Sequence, residues 1–289
     1  MNAETIGTWN NRILGLLEEG KFNTALKDAK TYIQEEPDNS FGYALLARIY
    51  FEKDEYKQAV RWSSESLSRE PIYYLAWDMR IRSLMELEQY KAANQTADEA
   101  IEHFPDEDSF FFLKGVIEKN LNHIKKAVGY LETAFGMEPD QPMYAAHYSH
   151  ALALSGKKEL SERVEEAAIE MNADDATIYL LLGWASEARG DYARALELIE
   201  HAVRLVPDDK ELRDEYIEML QKQYKVLRFF MAPYKLLERL PGFVQFFILV
   251  VTWLAFRPLI LLFLLFYVLM HWGTKLIVNK KVFGTLSGK

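Results

Sequence analysis

Two histidines, His147 and His150, stand three residues apart and would share one face of a helix. Imidazoles at that spacing could begin a metal site, but such a site needs three or four ligands held by outer hydrogen bonds. The chain has no cysteine and no third histidine near this pair. The pair is therefore assigned to a surface or groove, and no metal is expected. The same lack of cysteine excludes disulfides and thiol nucleophiles. No phosphate-binding loop, dinucleotide glycine fingerprint or nucleophile elbow occurs, so neither a cofactor nor an enzymatic activity is expected. One further residue stands out by placement: Arg257 interrupts an apolar run. A charge at membrane depth is often functional, and a turn at the far interface is the simpler reading.

The elements that would position these residues follow a strict period. Pro37, Pro71, Pro105 and Pro139 are each 34 residues apart, the next slot is Ala173, and the one after is Pro207. Twelve residues upstream of each slot stand Ala25, Ala59, Ala93, Ala127, Ser161 and Ala195. Five upstream stand Tyr32, Ser66, Ala100, Ala134, Ala168 and Ala202. Seventeen upstream stand Gly20, Asp54, Glu88, Asn122, Gly156 and Gly190. Fifteen upstream stand Phe22, Tyr56, Tyr90, Ile124, Lys158 and Tyr192.

Glycine, asparagine and aspartate suit a left-handed turn between two helices, and Glu88 is the exception. The residue two positions later starts the second helix. Small residues mark where two helices cross closely. Proline marks where the second helix ends.

This pattern resembles the tetratricopeptide repeat. Its first-helix signature is seen in Tyr43, Leu46-Ala47 and Tyr50, and in Tyr179 and Leu182-Gly183, with Trp9 and Trp77 in the aromatic slot of the first and third units. The resemblance implies an all-α fold: a right-handed superhelix of six helix-turn-helix units at about 6–39, 40–73, 74–107, 108–141, 142–175 and 176–209. The fifth unit departs most, with Ser161, Glu165 and Ala173 at positions usually small, apolar and proline.

Hairpins that cannot bury their apolar faces alone must stack, and a constant rotation per unit curves the stack. The resemblance implies that the first helices line a concave groove that binds a protein or peptide. By register, the groove residues in the first two units are Asn10, Leu14, Phe41, Arg48 and Phe51. In the later units they are Arg82, Met85, Phe112, Val116, His150 and Trp184. Chaperone-docking relatives grip a C-terminal carboxylate with Lys, Asn and Arg. The corresponding positions hold Asn10 and Leu14, then Leu45, then Leu75 and Met79, so no chaperone carboxylate clamp is expected.

The net charge of −9 conceals an asymmetry. From Gln221 onward there are ten basic residues and one acidic residue, leaving −18 on the preceding body and +9 on the tail. So acidic a body does not favour nucleic acid, which is held by phosphate neutralisation. A basic tail beside an apolar run suits membrane lipid. The polar start Met1-Asn2-Ala3-Glu4 lacks a secretory pattern, which places the repeats on the cytoplasmic side of a bacterial or organelle membrane.

Past the repeats, Asp208-Asp209 offers a helix cap, and a capping or linker helix is expected over 210–232 with Leu212, Tyr216, Met219 and Leu220 on one face. Residues 240–256 and 258–274 contain no acidic residue, lysine or arginine. Each would be roughly 25 Å long as a helix, at the short end of a bilayer span. A membrane hairpin or anchor is therefore expected over 240–276, followed by a basic tail at 277–289.

In a hairpin, Phe243, Phe247, Val251 and Trp253 lie on the first arm and Leu262, Phe266 and Trp272 on the second, with the turn at Arg257-Pro258. Basic residues at both ends favour it. The very short turn instead favours a single span over 258–274 with 240–256 at the interface. A buried soluble hairpin is the third reading.

Two functions follow. One is a membrane-anchored adaptor that holds a partner at the bilayer for complex assembly. The other is a structural subunit whose apolar hairpin packs on partner transmembrane helices. The few small residues in the arms, Gly242, Ala255 and Gly273, weaken the second.

Overall fold

The computed structural model describes residues 3–171 and 174–223 and the isolated positions 265 and 268. The segments expected to enter a membrane, 240–256 and 258–274, otherwise lie outside the described residues, as does the tail. Among the described residues, no helix is long and apolar enough to cross a membrane. They form α-helices and no strand. The chain divides into two compact units, Met1–Met171 and Asn172–Lys289.

The first unit contains five hairpins. Their first helices are α1 (Ala3–Glu18), α3 (Ser40–Glu52), α5 (Tyr74–Glu86), α7 (Asp108–Asn120) and α9 (Pro142–Leu154). Their second helices are α2 (Phe22–Glu35), α4 (Tyr56–Arg69), α6 (Tyr90–His103), α8 (Ile124–Met137) and α10 (Lys158–Glu170). From Ser40 each first helix starts 34 residues after the last, and the second helices keep the same interval from Phe22.

The turn residues explain the regularity. Gly20, Asp54, Glu88, Asn122 and Gly156 all have φ between 56° and 83°. Glu88 thus adopts the same left-handed backbone as its counterparts although its side chain disfavours it. The closed turn is imposed by packing on either side of it.

Every alanine or serine twelve residues before a proline slot is fully buried in this unit. Even the divergent fifth hairpin closes tightly. The Ser161 hydroxyl donates to the Ser149 carbonyl, and the Ser149 hydroxyl donates to the Ser161 carbonyl, each at 2.8 Å. Small hydroxyls therefore do there what alanine does elsewhere, while satisfying their own polarity. The aromatic slot anchors the linkers: Tyr43 Oη donates to the Pro37 carbonyl at 2.9 Å and Trp77 Nε1 to that of Pro71 at 2.8 Å.

Each helix packs on its predecessor and successor, and α1, α3, α5, α7 and α9 also touch one another in series. Successive second helices make no comparable contact. The first helices therefore crowd the inner side of this unit and the second helices splay on the outer side.

The second unit comprises α11 (Ala176–Arg189), α12 (Tyr192–Leu205) and α13 (Lys210–Gln223). The first two form a hairpin with Gly190 at φ 89° between them. A methyl group on Gly183 would lie 2.5 Å from Ile199 Cγ1, so glycine is what lets these helices meet. Asp209 Oδ1 accepts from the backbone N–H groups of Glu211 and Leu212 at 2.8 and 3.0 Å and caps α13. Leu212, Tyr216, Met219 and Leu220 are buried, and α13 packs on α12.

Candidate functional site

The face shared by α7 and α9 brings several polar and aromatic groups together. Three to four residues apart on α7 stand Asp108, Phe112, Val116 and Lys119, and on α9 stand Tyr144, His147 and His150. Each set forms one stripe along its helix. The stripes meet edge to edge. Tyr144 Oη donates to Asp108 Oδ2 at 2.5 Å. The Phe112 ring stacks on Tyr144 at 4.5 Å and meets His147 edge-on at 5.1 Å. At the far end Lys119 Nζ lies 3.1 Å from His147 Nδ1.

Local sequence places these groups. Pro142 opens α9 at a position where its missing N–H is harmless. Ala145, Ala146, Ala151 and Ala153 are buried, so α9 carries little bulk where it meets its neighbours. Lys119 falls in the last turn of α7, where a cation suits the helix dipole.

Burial dominates the electrostatics. It holds His147 well below its usual pKa, with lesser contributions from the nearby Lys119 and His150. It lowers His150 to about 3, again assisted by Lys119. Both imidazoles are therefore neutral at neutral pH, and a lysine ammonium can only donate, so His147 Nδ1 accepts from Lys119. Burial also lowers Lys119 to about 8. Tyr144 is raised by burial first and by its bond to Asp108 second. On α5, Arg82 Nε donates to Asp78 Oδ1 at 2.8 Å, which balances that charge.

The remaining register-derived residues separate into two kinds. Arg48, Phe51, Arg82, Met85 and His150 keep part of their surface open, as does Leu14. Phe112 and Val116 are each 8% exposed and form the wall rather than the accessible surface. Phe41 needs correction. It is 4% exposed and lies edge-on to Tyr32 at 5.2 Å, inside the core with Leu45 and Ile49. The first turn of α3 covers the end of α2, so an aromatic there seals the joint between two hairpins. Asn10 lies on α1, and its side chain is outside the described residues. At the positions compared with a carboxylate clamp, Leu45 and Met79 are buried and Leu75 is partly buried.

Sequence reasoning passed over Lys119, Tyr144 and Asp108. Lys119 was within reach. It stands 34 residues after Met85 and occupies the same repeat position as Phe51.

Trp184 belongs to the second unit. Its Nε1 donates to Glu215 Oε1 of α13 at 2.7 Å. It borders a cleft of about 670 Å³ whose lining includes Asp175, Leu180, Asp209 and Leu212. Three residues on, Glu187 pairs with Lys222 of α13 at 2.7 Å.

Comparison with known proteins accords with the helical repeats. One tetratricopeptide repeat family model matches residues 16–71 and another matches residues 176–219. The human protein O-mannosyl-transferase TMTC1 is 23% identical over 194 residues, which cover 63% of this chain and 21% of that protein. The chain thus spans about a fifth of that relative's length.

Among solved structures, the Cut9 and Hcn1 hetero-tetramer of the APC/C matches with a TM-score of 0.63 at 15% identity, over 73% of this chain and 42% of that one. PilW, described as a type IV pilus biogenesis factor, matches with a TM-score of 0.62 at 16% identity, over 74% and 99%. PilF of Pseudomonas aeruginosa matches with a TM-score of 0.60 at 19% identity, over 74% and 98%. At these identities the likeness is one of fold.

Proposed function

We propose that this chain, built of tetratricopeptide repeats, is a non-catalytic scaffold that binds a segment of a partner protein along its first-helix face and holds it at a membrane. The observation that carries the reading is the open row on the inner side of the first unit. Arg48, Arg82 and His150 recur at one repeat position, Phe51, Met85 and Lys119 at another, and all keep surface open. Arginine, methionine and aromatic groups are the types enriched where proteins meet. The PilW likeness is consistent with a role in assembly, through fold alone.

The membrane part rests on sequence. Two uncharged runs of 17 residues, flanked by Arg239, Arg257 and Lys275, have the length and basic borders of bilayer segments. Such a tether raises the effective concentration of anything the repeats hold. The repeats then face the cytoplasm.

A photo-crosslinking side chain at Arg82 of the full chain in cells tests the face, with Gln95 on the outer helix α6 as control. Partner adducts are expected at Arg82 and not at Gln95, and equal adducts at both would end the reading. Alkaline extraction of membranes tests the tether: the full chain should stay in the pellet, and its release would remove that half of the proposal. A stoichiometric membrane partner on purification in detergent would favour the structural-subunit role over the adaptor.

A further inference from the structure

We infer that the segment bound on the first-helix face presents an acidic side chain, Asp or Glu, to Lys119. This rests on the binding role proposed above and names the chemistry at one point of that surface.

Lysine is costly to desolvate unless an opposite charge repays the cost. The chain supplies one elsewhere on the same helix. Lys114, 1% exposed, pairs with Asp98 at 2.6 Å and donates to the Asn94 carbonyl at 2.9 Å. Arg82 on the neighbouring first helix has Asp78. Lys119 has no carboxylate within ion-pair distance among the described residues. Its one polar partner among those residues is the neutral ring of His147, which uses one of the three ammonium donors. Two N–H groups remain for a ligand, and the side chain keeps part of its surface open. The helix dipole offers at most about half a charge at this end.

The second unit shows what the same repeat position does when its charge is answered. Glu187 stands 68 residues after Lys119, two repeats on, and α13, two helices further along the chain, meets it with Lys222. The corresponding helix for Lys119, α9, offers it among the described residues only His147. The missing opposite charge is therefore left to a partner. A carboxylate from within a segment fits better than a free C-terminus, because the positions of a terminal-carboxylate clamp, Asn10 apart, hold leucine and methionine and no basic residue. Met85 and Tyr144, each partly open on the first-helix face, suit an apolar residue in the same segment as the acidic one.

The test pans a phage library of random 12-residue peptides, displayed with both ends blocked by flanking protein, on the full chain in detergent. The wild-type chain should enrich peptides with Asp or Glu at one fixed position. Changing that residue to Gln or Asn should weaken binding about tenfold or more, the range for a hydrogen bond between charged groups. Lys119→Met should lose the same factor and become indifferent to the peptide change. Lys119→Arg should keep most of the binding, and the circular dichroism of both variants should confirm the fold. Peptides that bind through Arg82 and Met85, judged by loss in Arg82→Glu and Met85→Glu, yet ignore Lys119→Met, would overturn the inference and leave the binding face standing. Failure to retain any peptide would remove the binding face and the inference together.

Discussion

On the side of α7 that meets the second helices, buried charge is answered from within the fold. Lys114 has Asp98 at 2.6 Å, and Glu118, 1% exposed, has Lys126 at 3.9 Å and a hydrogen bond with His123 at 2.6 Å. Gly115 sits between them, with space for nothing larger. On the side that meets α9, Lys119 has among the described residues only a neutral imidazole, and burial is the largest cause that lowers His147 and His150. One helix thus has a side completed by its own chain and a side left with a surplus cation. Structural demands govern the first, and the second bears a cost in stability that binding would recover.

Acid should separate the two sides most strongly. His150 has a pKa of about 3 in the folded chain against 6.5 when exposed. Below pH 6.5 the unfolded chain takes the proton first, so this stability is complete above pH 6.5 and lost as pH falls toward 3. The loss is on the order of 4 kcal/mol from that residue alone. Urea unfolding at pH 7 and pH 4 should show it in the wild-type chain, together with the loss from His147, and show much less in the His147→Leu/His150→Leu double variant. An equal loss in both would mean that the α9 side is not the acid-sensitive one.

Gly115→Val should come next, at about 3 kcal/mol of overpacking. A Cβ there would already lie 2.6 Å from Leu131 Cγ. Thermal unfolding reads this directly, and a neutral result would show that the closed side can yield. Asp98→Ala should cost about 2 kcal/mol, because it leaves Lys114 buried with the Asn94 carbonyl and the Tyr130 ring but no carboxylate. The exposure of Asp98 keeps the figure below that of a fully buried pair. Lys119→Met should be the mildest: stability unchanged or higher by up to about 1 kcal/mol, since methionine fills the space without a desolvated charge. A large loss from Lys119→Met would erase the distinction and make its bond to His147 structural.

The sequence by itself determined the repeating frame. The spacing of turn-formers, small residues and prolines places every hairpin from Phe22 to Leu205, because a left-handed turn and a close helix crossing each admit few residue types. It also proposes a face, since first-helix positions recur with the period. Tertiary structure decided the rest. Glu88 is held at φ 56° against its own preference by the hairpins around it. Ser161 replaces alanine because Ser149 lies opposite it, a partner twelve residues away that no local pattern names. Phe41 turns to Tyr32 rather than to the groove. Lys114 and Lys119 look alike along the chain. They differ because Asp98 reaches one and only His147 reaches the other, and the strength of a charge depends on which groups and how much water surround it in space.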